Sequence, residues 1–546
     1  MTYALPLRPR ARCRVGSWVG VGMLLLAGCG DRPPFFDEPQ VFHAEATLLG
    51  TQVVFINQTS HVAHRLDLAD PQPRTERVDL PLEPRLSVHR ATSAADATEE
   101  LLVVCAGGPA RAGSAPLPAE LAVLGVEGNT PRARYEIAAP FDAIEQSHDG
   151  RYALLYFRGV SGGGQLLFNR NEIAIVDLQQ QPSEDNPHRR TLRSFGEAPR
   201  RVVFSPGMTI AGTTRTLAVV LFDSYVTLLD LETLSEHTVQ LTTAGNPSLP
   251  EQVLFGVDDA RIYVRGNQSN DAYALQLHED PESARGDFRV SINQVGAGRT
   301  PSDMGLYRSP EGAQLLVLSP GSNDLWVIDA ASSRSTRVAL ETAASRLLML
   351  DDGRDSGKPE ALLYGNGSVW LSFLSLQQIE SRKGRNLETL RLAAPVERVV
   401  PMLERGVVLL VHHSSQGPAP ALSLLRVQDR TVAPIDAHLD LAQTSFHTDE
   451  ARLWVGAKGQ RQLGMLDLDS FHAQQVELDA SIAQVLLSPA AATVAVVHNT
   501  FGGHLTLLDR MEPARGEAIA LRGFLLADLL RGPDTAIELD AKRGMP

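Results

Sequence analysis

Six carboxylates recur in one setting, each closing a short apolar run. They are Asp67 in RLDL, Asp177 in IVDL, Asp230 in LLDL, Asp329 in VIDA, Asp467 in MLDL and Asp509 in LLDR. A carboxylate in such a place could act as a ligand or a base, or accept hydrogen bonds from the N–H groups of the turn that follows. Its return in one context after another favours the turn-capping role. The remaining candidates are isolated. Asp351–Gly357 (DDGRDSG) has the oxygens and glycines of a Ca²⁺ loop but lacks a third-position Asx and a closing bidentate Glu, so a solvated turn is expected. His412 and His413 are adjacent at the end of an apolar run, as His61 and His64 are three apart. Strand neighbours point to opposite faces, so neither pair should share an ion. Ser161–Gln165 (SGGGQ) precedes no helix that could receive a phosphate and reads as a hairpin tip. The Arg285-Gly286-Asp287 triplet is a chance expectation in a chain rich in all three residues. No nucleophile elbow, P-loop or dinucleotide fingerprint is present. No catalytic, metal or cofactor site is therefore expected from local spacing, although distant repeats could assemble one around an axis.

These residues need a framework, and composition bounds it. The 546-residue chain has 43% hydrophobic and 21% charged residues, which is the balance of a folded protein. Its formal charge of −14 works against binding nucleic acid or anionic lipid by electrostatics. At 5% aromatic residues it also lacks the stacking surface of a dedicated glycan or single-strand binder.

The first residues read as an address. Arg8, Arg10, Arg12 and Arg14 precede the apolar stretch Val15–Ala27, which is short for a membrane span. It runs into Leu26-Ala27-Gly28-Cys29. An aliphatic residue, two small residues and a cysteine resemble the lipobox of bacterial lipoproteins. That resemblance implies removal of residues 1–28, acylation of Cys29, and anchoring in a lipid bilayer, with the Gly30–Gln40 segment as tether and 41–546 as the folded body. Asp31 is one place removed from the position of the inner-membrane retention signal, so the outer membrane is favoured. With Cys13 lost and Cys29 acylated, Cys105 has no partner for a disulfide and reads as a small buried hydrophobe.

From about Val41 the pattern is short β-runs between turns. A unit reads: weak first strand, tight turn, buried second strand, third strand ending in Asp, polar fourth strand. Asp142–Phe195 is the clearest example. Ser205-Pro206, Ser309-Pro310-Glu311-Gly312, Ser488-Pro489 and His148-Asp149-Gly150 supply the first turns, with Pro fixing φ and Gly allowing positive φ. Separations between the six Asp residues divide into units of roughly 42 to 55 residues, within the range of propeller blades. Degenerate third strands at Leu121–Val126, Ala272–Leu277, Val369–Leu374 and Leu422–Val427 bring the count to about ten. The pattern resembles β-propellers of the YVTN and TolB-like type, in the wider WD-repeat-like group.

The resulting expectation is an all-β propeller of about 8–10 four-stranded blades, in one body rather than two. Phe524–Leu530 is expected to supply the missing strand of the first blade, with a helical cap as the competing reading. The long segments 107–118, 179–188, 278–286, 351–359 and 414–420 are expected to gather on one face and to bind a protein or small-molecule partner there. Two functions follow from the resemblance: a binding or scaffold module at the cell envelope, including an assembly factor, or a lactonase- or quinoprotein-like enzyme with an axial metal or cofactor.

Overall fold

The computed structural model describes residues 40–525, apart from 71–74, 91–98, 109–116, 159–168, 194, 211, 242–246, 258, 284–286, 310–311, 352–358, 382–386, 413–421, 436–443, 449–451, 471, 489–490, 501 and 514–517. Cys29, Ser161–Gln165, Arg285, Gly286, His413 and most of Asp351–Gly357 lie outside the described residues.

Antiparallel meanders account for nearly all of the secondary structure. Among the described residues there are eight four-stranded sheets, one seven-stranded sheet and a two-stranded hairpin. The seven-stranded sheet is two units joined through one strand. Leu387–Met402 runs for 16 residues, pairing first with Ser368–Ser375 and then, past a register shift, with Val407–His412. It is the fourth strand of one unit and the first of the next, which makes ten units among the described residues. We number them 1 to 10 in chain order. The four weak third strands are all present, as Ala119–Gly125, Asp271–Glu279, Ser368–Ser375 and Leu422–Arg426.

Strand composition follows position in the unit. Tyr152–Tyr156 and Leu217–Leu221 are second strands, and every residue in them is buried. Both faces are covered by neighbouring units, so the sequence is continuously apolar rather than alternating. Fourth strands such as Ser335–Ala339 form the outer edge and are largely exposed. They carry the polar residues that discourage edge pairing. Short turns join first to second strands in most units, and longer connections do so in units 2, 4 and 7. In unit 3, Gly150 takes a φ of 65°, which glycine adopts without steric cost. Its N–H donates to Ser147 O at 2.9 Å, while Ser147 Oγ accepts Tyr152 N–H at 2.9 Å. Ser205 Oγ takes Leu217 N–H in unit 4 in the same way.

Each unit buries apolar side chains against the next. Leu121 and Tyr135 of unit 2 meet Ala153, Leu155 and Val176 of unit 3. Unit 10 also packs on unit 1. Val53, Phe55 and Leu66 share a cluster with Leu505, Leu507, Leu521 and Phe524. Polar links reinforce this contact. Gln484 accepts Ala46 N–H and donates to Ala46 O, both at 2.9 Å, and Ser488 Oγ donates to Gly50 O at 2.9 Å. Ten four-stranded meanders packed face to face in this order are a β-propeller-type architecture.

Two expectations are corrected. Unit 1 already has four strands, from Thr47–Leu49 to Thr75–Asp79, so it needs none from the C-terminus. Phe524 and Leu525 instead begin a helical turn after Ile519–Arg522 and bury their side chains between units 10 and 1. The long segments also divide between both faces. In a meander, second-to-third connections share one end with the unit-to-unit connections, and the other two turns share the opposite end. The strands flanking 107–118 and 414–420 make these second-to-third connections, at the first end. Those flanking 179–188, 278–286 and 351–359 assign these three to the second. A turn can lengthen at either end without disturbing the ladder, so nothing obliges insertions to gather.

All six recurrent Asp residues cap the turn that follows. Asp177 Oδ1 accepts Gln179 N–H, and Asp230 Oδ1 accepts Glu232 and Thr233 N–H. Asp67 takes Ala69 N–H, Asp329 takes Ser332 N–H, Asp467 takes Asp469 and Ser470 N–H, and Asp509 takes Met511 and Glu512 N–H. Bonds from Ser470, backbone first and then hydroxyl, hold the Asp467 carboxyl below its ordinary value. A carboxyl lowered on folding stabilises the fold above the ordinary carboxylate range, and that stability is lost as pH falls through the lowered value. Asp467→Ala is expected to cost about 1 kcal/mol near neutral pH. In urea unfolding the variant and parent should converge in strong acid; an undiminished difference there would refute the capping role.

Candidate functional site

Unit 10 brings together three potential ligands that come from separate segments of the unit. Asp479 precedes the first strand Ile482–Leu487, His498 ends the second strand Thr493–His498, and His504 opens the third strand His504–Asp509. The antiparallel ladder places them at one end of the unit. Ile482 pairs with His498, and Val497 with Leu505, so the two histidines flank the His498–His504 hairpin opposite one another. The hairpin is held by Gly503 at φ 83°, where an added Cβ would lie 2.7 Å from Leu525 Cγ. Only glycine suits both the left-handed backbone and that close approach.

One donor atom from each of Asp479, His498 and His504 lies within 4.8 Å of the others. The two imidazole centroids are 4.3 Å apart, and both rings are buried, at 3% and 6% exposure. His498 Nδ1 faces Ser481 O at 3.1 Å, a contact only an N–H can make favourably. Its Nε2 therefore carries the lone pair, with Thr506 Oγ1 at 2.7 Å. His504 Nε2 is 3.4 Å from Asp479 Oδ1 and 3.4 Å from Arg522 Nε, which donates to it. Arg522 also pairs with Asp479 Oδ2.

Burial, reinforced at His504 by the neighbouring imidazole, pushes both histidines below the ordinary imidazole range, so both are neutral at pH 7. Burial opposes ionisation of Asp479, but the Arg522 guanidinium and the imidazoles outweigh it and hold its carboxyl below the usual range. The arrangement thus offers two neutral imidazoles and one carboxylate, with the head of a long cationic side chain lying over them.

Among the described residues, the other sequence candidates remain apart. His412 is buried in unit 8 and makes the same pair of bonds as His498, Nδ1 to Pro395 O at 3.3 Å and Nε2 to Ser423 Oγ at 2.8 Å. His61 is a turn residue at φ 57° whose Nδ1 accepts Glu83 N–H, and His64 is buried in the strand beyond it. Asp287 closes its own loop through Ser283. Cys105 is fully buried, and burial pushes its thiol up to about 12. The group in unit 10 had a signal in the sequence, the hairpin HNTFGGH with histidines at both ends. Asp479 had none, since its place depends on the register of the first strand.

A groove of about 590 Å³ lies beside the third-to-fourth connection of unit 3, lined by Glu136, Ser183, Glu184, Asp185, Pro187, His188 and Arg189. Asn186 shapes this connection from beneath, accepting Asp177 N–H at 3.0 Å and donating to Asp177 O at 2.9 Å.

No family model matches the chain, and no curated protein does. Solved structures similar to it include the dihydro-heme d1 dehydrogenase NirN in complex with DHE, at 13% identity over 81% of this chain and 79% of that one, with a TM-score of 0.37. AztD from Citrobacter koseri is 11% identical over 70% and 95%, with a TM-score of 0.32. A eukaryotic initiation factor is 10% identical over 87% and 96%, with a TM-score of 0.40.

Proposed function

We propose that the protein is an exported lipoprotein, held to the outer membrane through acylated Cys29, whose propeller is a rigid binding or scaffold module at the cell envelope. The observation that carries the binding reading is that all six recurrent carboxylates are engaged in turn capping. The repeated parts are then framework, and what differs between units is their connections, where partners bind. The face at which Val41 lies carries exposed apolar side chains: Val41, Leu117 and Phe195 at 47%, 56% and 68% exposure. Val41 is fixed there by Thr59 Oγ1 in the second-to-third turn of unit 1. A protein partner suits such a surface, and the acidic balance of the chain disfavours nucleic acid.

Cys29→Ser is expected to abolish lipid labelling and release the protein from membranes; unchanged membrane association would overturn the anchor. Crosslinking in intact membranes should capture a stoichiometric partner. Recovery of the protein always alone, together with turnover in a substrate screen, would favour the alternative of a propeller enzyme. The histidine group of unit 10 is the observation that keeps that alternative in view.

A further inference from the structure

We propose that Asp479, His498 and His504 form a binding site for a divalent transition metal of the Zn²⁺ class, and that Arg522 is the cation occupying it when metal is absent. Four observations converge on this assignment. The donor set, two imidazoles and a carboxylate, is one that Zn²⁺ takes, and three protein ligands leave a fourth position for water. His504 Nε2 and Asp479 Oδ1 are 3.4 Å apart. That matches the edge of a tetrahedron with metal–ligand bonds of about 2.0–2.1 Å, an edge of about 3.3–3.4 Å. His498 sets its Nδ1–H on a backbone carbonyl, as a metal-ligating histidine does, and its Nε2 lone pair faces Thr506 Oγ1, a hydroxyl that must turn away when the nitrogen takes a metal. Among the described residues, no other His, Cys, Asp or Glu side chains come together in a three-ligand group.

His412 separates this assignment from a purely structural one. It makes the same two bonds as His498, so that clip by itself serves the fold. What unit 10 adds is His504 and Asp479, and these two are also the groups that Arg522 bridges. The Arg522 side chain is 65% exposed, so its head can swing into solvent when a metal ion replaces its charge.

The test is titration of the purified full-length chain with Zn²⁺ by calorimetry, and with Co²⁺ by visible absorption. One equivalent should bind, and Co²⁺ should give the intense absorption of a four-coordinate site. His504→Ala should weaken Zn²⁺ binding tenfold or more, and Arg522→Gln should tighten it by removing the competing cation. His412→Ala should leave it unchanged. Melting curves recorded without metal distinguish a folding defect from ligand loss, and the Co²⁺ spectrum of the parent stands regardless of how the variants fold. Absence of stoichiometric binding by the parent overturns the proposal. So does binding undiminished in a folded His504→Ala variant, or weakened by Arg522→Gln.

Discussion

Phe524→Ala is expected to lower the free energy of unfolding by about 3–5 kcal/mol, the usual cost of removing a fully buried aromatic ring. Phe524 is 0% exposed and meets Phe55 edge-on, with centroids 5.3 Å apart and planes at 61°. The ring joins the last unit to the first, between segments separated by almost the whole described chain. Its loss removes the ring's transfer free energy and leaves a cavity that the stiff strands around it cannot close. Chemical denaturation measures the effect, and hydrogen exchange locates it. The amides of units 1 and 10 should lose protection first, because the interface between them joins the first and last described units. A loss below about 1 kcal/mol, well under the range for a buried aromatic ring, would mean that this interface contributes little. Phe55→Leu, which keeps most of the apolar volume, should cost much less.

Glu100→Ala is expected to have a comparable effect, about 3–5 kcal/mol, for an electrostatic reason. Glu100 is 1% exposed and pairs with Arg90 through Oε2, while Oε1 lies 2.8 Å from Arg132 Nε. Arg90 is itself 6% exposed and donates from Nε to Gly150 O at 2.6 Å, which ties unit 2 to the first turn of unit 3. Truncating the carboxylate strands the guanidinium in a low-dielectric interior without its countercharge. Replacing both partners with apolar residues, as in Arg90→Met with Glu100→Leu, should recover most of the stability, because no buried charge remains. If the double variant is no more stable than Glu100→Ala, packing rather than charge explains the loss.

Much of the fold was legible because propeller units are local. Each unit is a meander of consecutive strands, so the alternation of buried runs, turn residues and terminal Asp appears directly in sequence order. Even the four units with degenerate third strands could be placed, since Ala119–Gly125 and its counterparts keep an apolar run long enough to fill the position. Two features escaped. The shared strand Leu387–Met402 escaped because nothing local distinguishes one long bulged strand from two short ones. Phe524 and Leu525 escaped in part, the first-blade strand being preferred to the helical cap, because an apolar segment after the last strand can complete a sheet or plug a cleft, and only the vacancy left by its neighbours decides which.

The residues by themselves determined the repeat, the turn-capping role of Asp67, Asp177, Asp230, Asp329, Asp467 and Asp509, and the lipobox-like pattern ending at Cys29, since each depends on positions close together in the chain. Only the tertiary structure decided which chemistry-bearing groups meet. Asp479, His498 and His504 converge because the register of three strands brings a preceding loop and both ends of a hairpin to one end of unit 10. His412 does not join the group, because its strand lies in unit 8, whereas the ladder of unit 10 sets His498 and His504 side by side.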